Sequence, residues 1–282
     1  MKPMKLALVA ALMLAGCGSS NPFGGGGGGV TPDPDPGDKL AAQLAGSLGS
    51  AQFVGGNLEI TLVPFDAPPI AGTYVRAPSL DISGYQAYVP VANDTINRNF
   101  IAYVARINGA VAIAVGDGGR NVDAFGGVGT NRTGIFNAPA TGLATYRGGY
   151  AGLRVIGDGS VAAQTPDRVT GNVEVSADFT DDSVEGSISN RVNIDDPTEI
   201  LTDRFLKVTE IKETGNFSGV IATGSDLPNG SYSGVFSNGG RSVAGVVAID
   251  VGDKEGFQDD VTEYGVFAIP CVLGDPASTV CN

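Results

Sequence analysis

Residues 172–179 place Val173, Val175, Ala177 and Phe179 on one side and Asn172, Glu174, Ser176 and Asp178 on the other. That two-residue period gives a strand one apolar and one polar face. A polar turn, Thr180-Asp181-Asp182-Ser183, follows, and Val184, Gly186 and Ile188 resume on one face. Comparable runs recur at hairpin spacing over residues 143–156, 198–211, 216–223, 231–237, 242–251 and 262–269. Together they predict eight consecutive strands, the number that closes an antiparallel barrel just wide enough for side chains to fill. Upstream, residues 57–65, 85–91, 98–107, 110–115 and 121–128 form a second, smaller β-rich set, with Asn108-Gly109 as a hairpin turn. Residues 38–48 differ: Leu40, Leu44 and Leu48 share a helical face behind Asp38, which predicts a short helix.

Composition agrees with an all-β chain. Its 282 residues include 43 glycines, no tryptophan and no histidine, a balance that favours short strands and tight turns. The formal charge of −13 repels phosphate backbones, which argues against a nucleic-acid partner. Without histidine there is no Ser-His-Asp or Cys-His nucleophile and no His-ligated zinc. Catalysis would fall to carboxylates, Lys or Tyr. The acidic pairs Asp181-Asp182, Asp195-Asp196 and Asp259-Asp260 sit in turn-like stretches where solvated charge is the ordinary state. Residues 116–127 resemble one calcium-binding Gly-Asp repeat, but without a period they read as a glycine turn with solvated Asp117 and Asp123. No catalytic residue, metal site or cofactor is expected.

The N-terminus carries a different signal. Lys2 and Lys5 precede an apolar stretch over residues 6–16, the length of a secretory core and too short to span a bilayer. It ends in Leu14-Ala15-Gly16-Cys17, which resembles the lipobox of bacterial lipoproteins. The resemblance implies cleavage after residue 16 and lipidation of the Cys17 thiol, palmitate included. Residues 17–38, rich in Gly and then in Pro and Asp, read as a tether. Gly18 after the cysteine implies the outer membrane by analogy with enterobacterial lipoproteins.

A Gly–aromatic–Gly motif recurs, as Tyr146-Arg147-Gly148 with Gly149-Tyr150-Ala151-Gly152, as Gly215-Asn216-Phe217-Ser218-Gly219 and as Gly230-Ser231-Tyr232-Ser233-Gly234. A ring beside a glycine covers the backbone that the glycine leaves bare, which suits a strongly coiled barrel strand. Tyr146, Tyr150 and Tyr232 are the residues best suited to haem iron in a chain without His, but they read first as core. This ladder resembles the barrel domain of the transferrin-binding protein B family of surface lipoproteins, related to factor H-binding and heparin-binding antigens. The resemblance spans roughly residues 140–270. It implies a handle-like sheet over residues 39–138 and an eight-stranded barrel over 139–282. It also implies a non-enzymatic surface protein that captures an iron carrier, haem or a protein partner through loops, or delivers it to an outer-membrane receptor. The ligand-binding residues are unknown, and a structural or adhesive coat protein is the alternative. Val235-Phe236-Ser237-Asn238 stands where that family often has Phe-Tyr-Gly-Pro, and one lobe is present instead of two.

Cys271 and Cys281 are a pair in an exported chain and read as a disulfide that ties the tail to the last strand. Residues 116–120, 195–198 and 253–260 are charged enough to project as binding loops, and their acidity favours a basic partner surface.

Overall fold

The computed structural model describes residues 43–64, 68–91, 98–119, 124–157, 163–224, 227–251, 260–276 and 278–281. Sixteen strands are arranged in two sheets. The first carries β1 (Gln43–Gly46), β2 (Leu48–Val54), β3 (Asn57–Leu62), β4 (Ile70–Arg76), β5 (Gln86–Pro90), β6 (Phe100–Ile107), β7 (Ala110–Asp117) and β8 (Gly126–Arg132). Its order is β1-β8-β7-β6-β5-β4-β3-β2, so the two edges are consecutive in sequence. Gly46, at φ +68°, turns the chain from one edge to the other, a conformation that costs glycine least. Ser47 then donates its N–H to Gly126 and accepts from Val63, which nearly closes the sheet. Residues 43–48 are therefore strand and turn where a helix over 38–48 was expected, residues 38–42 lying outside the described residues, because the spacing of Leu44 and Leu48 serves either structure and the open edges of β3 and β8 claim the backbone.

The second sheet is a closed up-and-down barrel. It comprises β9 (Leu143–Gly157), β10 (Asp167–Asp178), β11 (Ser183–Asn193), β12 (Arg204–Glu210), β13 (Asn216–Ala222), β14 (Pro228–Ser237), β15 (Ser242–Asp250) and β16 (Asp260–Pro270). Every neighbouring pair is antiparallel, and β9 pairs with both β10 and β16. All eight barrel runs read from periodicity are strands, whereas β2 and β4 were missed because their glycines and polar residues mask the alternation. Apart from two 3-10 turns, the described residues contain no helix, so none is long and apolar enough to cross a membrane.

Alternation explains how the sheets pack. On β6, Phe100, Ala102 and Val104 enter the handle's own core, while Ile101, Tyr103 and Ala105 lie against the barrel wall. On β7, Val111, Ile113 and Val115 face inward, and Ala110, Ala112 and Ala114 meet the barrel. Small alanines let the sheets approach closely, and both strands are buried on both faces. The barrel answers with Leu153, Val246 and Val266, which point outward. Tyr85 joins the two: its hydroxyl donates to Gly149 O at 2.6 Å and accepts from Ala268 N at 3.1 Å. The β9–β16 ladder breaks after Val266↔Ala151 and resumes at Tyr146↔Cys271, so a handle side chain stands where the next backbone bond of the barrel would form.

Candidate functional site

The barrel interior has two unlike halves. At the end holding the tail, Phe236 sits among Phe217, Phe179 and Tyr146, with ring centroids 5.0, 5.2 and 5.6 Å away. Phe136, from the connection after β8, adds a stacked ring. Cys271 and Cys281 are bonded here, with Cα atoms 5.6 Å apart, and the tail returns to β9 through Val280 N to Leu143 O and Val272 N to Thr145 O. The Gly–aromatic motif packs as anticipated. Gly219 pairs with Tyr232 and Phe217 with Gly234, and a Cβ on Gly219 would come within 2.6 Å of the Tyr232 ring.

The opposite end is charged. Arg154, Arg191, Arg204 and Glu263 are all nearly or wholly buried. Glu263 accepts from the Tyr150 hydroxyl at 2.7 Å and pairs with Arg191. Burial would raise its carboxyl, but Arg191 and the Tyr150 hydrogen bond outweigh it and hold it below the ordinary value. Arg154 pairs with Glu199 at 2.7 Å, and Asn193 donates to Glu199 at 2.8 Å and to Asp167 at 3.0 Å. These residues were not singled out from the sequence. The signal was there: Arg154 shares the parity of Tyr146 and Tyr150, and Glu263 that of Phe267 and Ile269. Tyr146, Tyr150 and Tyr232 are fully buried, with hydroxyls donated to Gly240 O, Glu263 and Lys207 O. Burial raises the pKa of all three. Their reading as core residues holds.

Just outside the charged end, handle and barrel frame a cleft of about 720 Å³. Val89, Pro90, Phe100 and Ile101 form one wall, and Pro166 and Arg168 the other. It opens because β5 and β6 diverge: their pairing stops at Tyr88↔Ala102. Arg168 donates to Asp195 from Nη2 at 2.6 Å and from Nε at 3.1 Å, across the barrel rim. Although burial pushes the Asp195 carboxyl up, the Arg168 bonds carry it below its ordinary value.

The candidate loops fare differently. Residues 195–198 form an exposed turn on the rim. Residues 252–259 and Asp123 lie outside the described residues, as do Cys17 and the tether. Of the segment at 116–120, Arg120 lies outside the described residues and residues 116–119 form no projecting loop. Gly116 and Asp117 end β7, and Asp117 is fully buried, ion-paired with Arg98 and bonded to Phe125 N at 2.8 Å. Burial raises its carboxyl despite those bonds. The expected solvated turn fails because Gly118 N bonds Gln164 O, and Gln164 N bonds Gly119 O, at 3.1 and 3.0 Å. Those contacts draw the segment onto the β9–β10 connection. Among the described residues, no group of three or more His, Cys, Asp or Glu could hold a metal ion.

No family model matches the chain, and no curated protein matches it. Solved structures similar to it include transferrin-binding protein B of Haemophilus parasuis. That match has a TM-score of 0.43 and 10% identity, over 83% of this chain and 54% of that one. Transferrin-binding protein B of serogroup B Neisseria meningitidis gives 0.38 and 15%, over 82% and 52%. The N-lobe of lactoferrin-binding protein B of Moraxella bovis gives 0.36 and 12%, over 71% and 80%. This chain thus spans about half the length of the transferrin-binding structures. The handle-and-barrel architecture stands on the pairing of its own strands.

Proposed function

We propose that this chain is a non-enzymatic bacterial surface lipoprotein that captures a ligand in the handle–barrel cleft. In this reading residues 1–16 are removed and Cys17 carries the lipid anchor. Residues 17–38 hold the folded part off the outer membrane, with the handle over 39–138 and the barrel over 139–282. The filled barrel is the observation that carries the reading. Rings occupy one half and paired charges the other, so recognition falls to the outside, where the cleft meets an exposed acidic turn. With the hydroxyls of Tyr146, Tyr150 and Tyr232 all engaged inside, a protein such as an iron carrier fits better than haem.

The test uses the full chain in nanodiscs of zwitterionic lipid. Iron-carrier proteins and haem are passed over the native chain and over Arg168→Glu and Val91→Glu, both on the cleft lip. Binding of a carrier that both variants abolish, with circular dichroism unchanged, supports capture. If nothing binds while a deletion strain loses surface attachment, the coat or adhesive reading replaces it.

A further inference from the structure

The outer wall of the barrel is unevenly covered. Behind the handle, Leu153, Val246 and Val266 are buried. On β11 to β13 they have no counterpart cover among the described residues. Thirteen large hydrophobic residues are exposed in the described chain, and seven of them fall between positions 192 and 227. Single exposed hydrophobics are ordinary, but four on three adjacent strands, Val192, Phe205, Val208 and Val220, with three more in the flanking connections, mark a contact surface. Val192 lies opposite Ile200. Phe205 lies opposite Ala222, with Val220 two residues before it on the same face. Ile194 and Leu227 complete the group at the rim, and Ile200 is 87% exposed.

A second irregularity coincides with this group. β12 and β13 pair only at Phe205↔Ala222 and Leu206↔Ile221, then meet again at Ile211↔Phe217. Between these points Thr209 Oγ1 bonds Ser218 O at 2.7 Å, and the Tyr232 hydroxyl takes Lys207 O. The wall is therefore held there by side chains, and Val208 stands 66% exposed beside the break.

The frame of this patch is net acidic, four exposed carboxylates against Lys207 and Lys212. Asp196 and Asp203 are exposed at the rim, near Ile194 and Ile200. Glu185 and Glu210 are exposed at the far end, where Ser183 pairs with Glu210. The Thr198 hydroxyl and N–H hold the Asp196 carboxyl below its ordinary value. Two copies of such a face would bring like charges together, and anionic lipid would be repelled. We infer that the outer face of β11–β13 docks a second protein, one whose contact surface has an apolar centre and a cationic rim. This site centres on β11–β13, away from the cleft walls, and meets the cleft only at the 194–196 turn, where Asp195 lines the cleft.

The experiment uses the full chain in zwitterionic nanodiscs, with empty discs subtracted. Three immobilised peptides serve as probes: alternating lysine–leucine, alternating glutamate–leucine and alternating lysine–serine. The lysine–leucine peptide should bind best, and binding should weaken as salt rises. The double variant Ile200→Ser, Phe205→Ser should bind it about tenfold or more weakly, as loss of two anchoring contacts implies. Ile135→Ser, Leu143→Ser, exposed at the opposite end of the barrel, should bind as the native chain does. Equal binding of lysine–serine would reduce the effect to bulk charge and overturn the proposal. Unchanged binding by the wall variant would do the same. Self-association in sedimentation that the wall variant abolishes would make a second copy the occupant and likewise overturn it. Val91→Glu, on the handle side of the cleft lip, should leave this binding untouched, which separates the two sites.

Discussion

Replacing Tyr85 with Phe tests whether the handle completes the barrel. The ring stays in the interface cluster and only the hydroxyl goes. Two backbone groups lose a partner, Gly149 C=O at 2.6 Å and Ala268 N–H at 3.1 Å. They lie in the gap between Val266↔Ala151 and Tyr146↔Cys271, where β9 and β16 exchange no direct backbone bond in the native fold. An unsatisfied buried backbone group costs about 1–3 kcal/mol; Gly149 and Ala268 are only half-buried, so the pair falls in the lower part of that range, about 2–4 kcal/mol together. At about 2–4 °C per kcal/mol for a chain of this size, the melting midpoint should fall by about 4–16 °C. Thermal melts and urea titrations would measure it. Tyr103→Phe is the control, because that hydroxyl donates to Leu80 O within the handle alone. The linkage sign is also fixed. Burial raises the Tyr85 pKa above 10.0, so its contribution is fully present below that pH and is lost as pH rises through the folded value. The Phe variant should lack that alkaline component. A loss under about 0.5 kcal/mol, no larger than a surface substitution gives, would mean that the hydroxyl is incidental to closure.

Glu263→Gln leaves Arg191 buried without its carboxylate, and breaking a buried pair costs about 3–5 kcal/mol by denaturant titration. Because the folded carboxyl lies below its ordinary 4.5, its stabilisation is present above that pH and lost as pH falls through the folded value; the variant's acid limb should be correspondingly flatter. Gly219→Ala forces a Cβ against the buried Tyr232 ring, an overpacking cost of about 1–3 kcal/mol that a melt would show. Thiol titration of denatured, unreduced protein should find Cys271 and Cys281 unreactive, and replacing both with Ser should cost about 2–3 kcal/mol; a titre of two would contradict the pairing. For the anchor, Cys17→Ser should abolish lipid labelling and leave uncleaved precursor, whereas a variant still acylated would remove Cys17 from that role.

What the sequence determined was the barrel, because period-two alternation is local and leaves its mark on each strand separately. Val173, Val175 and Ala177 needed no partner to declare a buried face; the Gly–aromatic motif around Phe217 and Tyr232 was also local, but which ring covers which glycine is decided across β13 and β14. The same logic separated the β6–β7 hairpin at Asn108-Gly109, where Asn108 adopts φ +44° and Gly109 φ +83°, as such a turn requires. Tertiary structure decided everything that depends on a distant partner. Asp117 reads as a solvated turn residue until Arg98 and the β9–β10 connection enclose it. Residues 43–48 read as helix until two open sheet edges, contributed by strands some 15 and 80 residues further on, offer hydrogen bonds. Strand parity alone puts Arg154 and Glu263 on the inward face, but no single strand supplies a counter-charge for them or for Arg191. They become a buried layer only when closure brings β9, β11 and β16 around one axis, since a charge is stable inside a protein only where other chain segments supply its counter-charge.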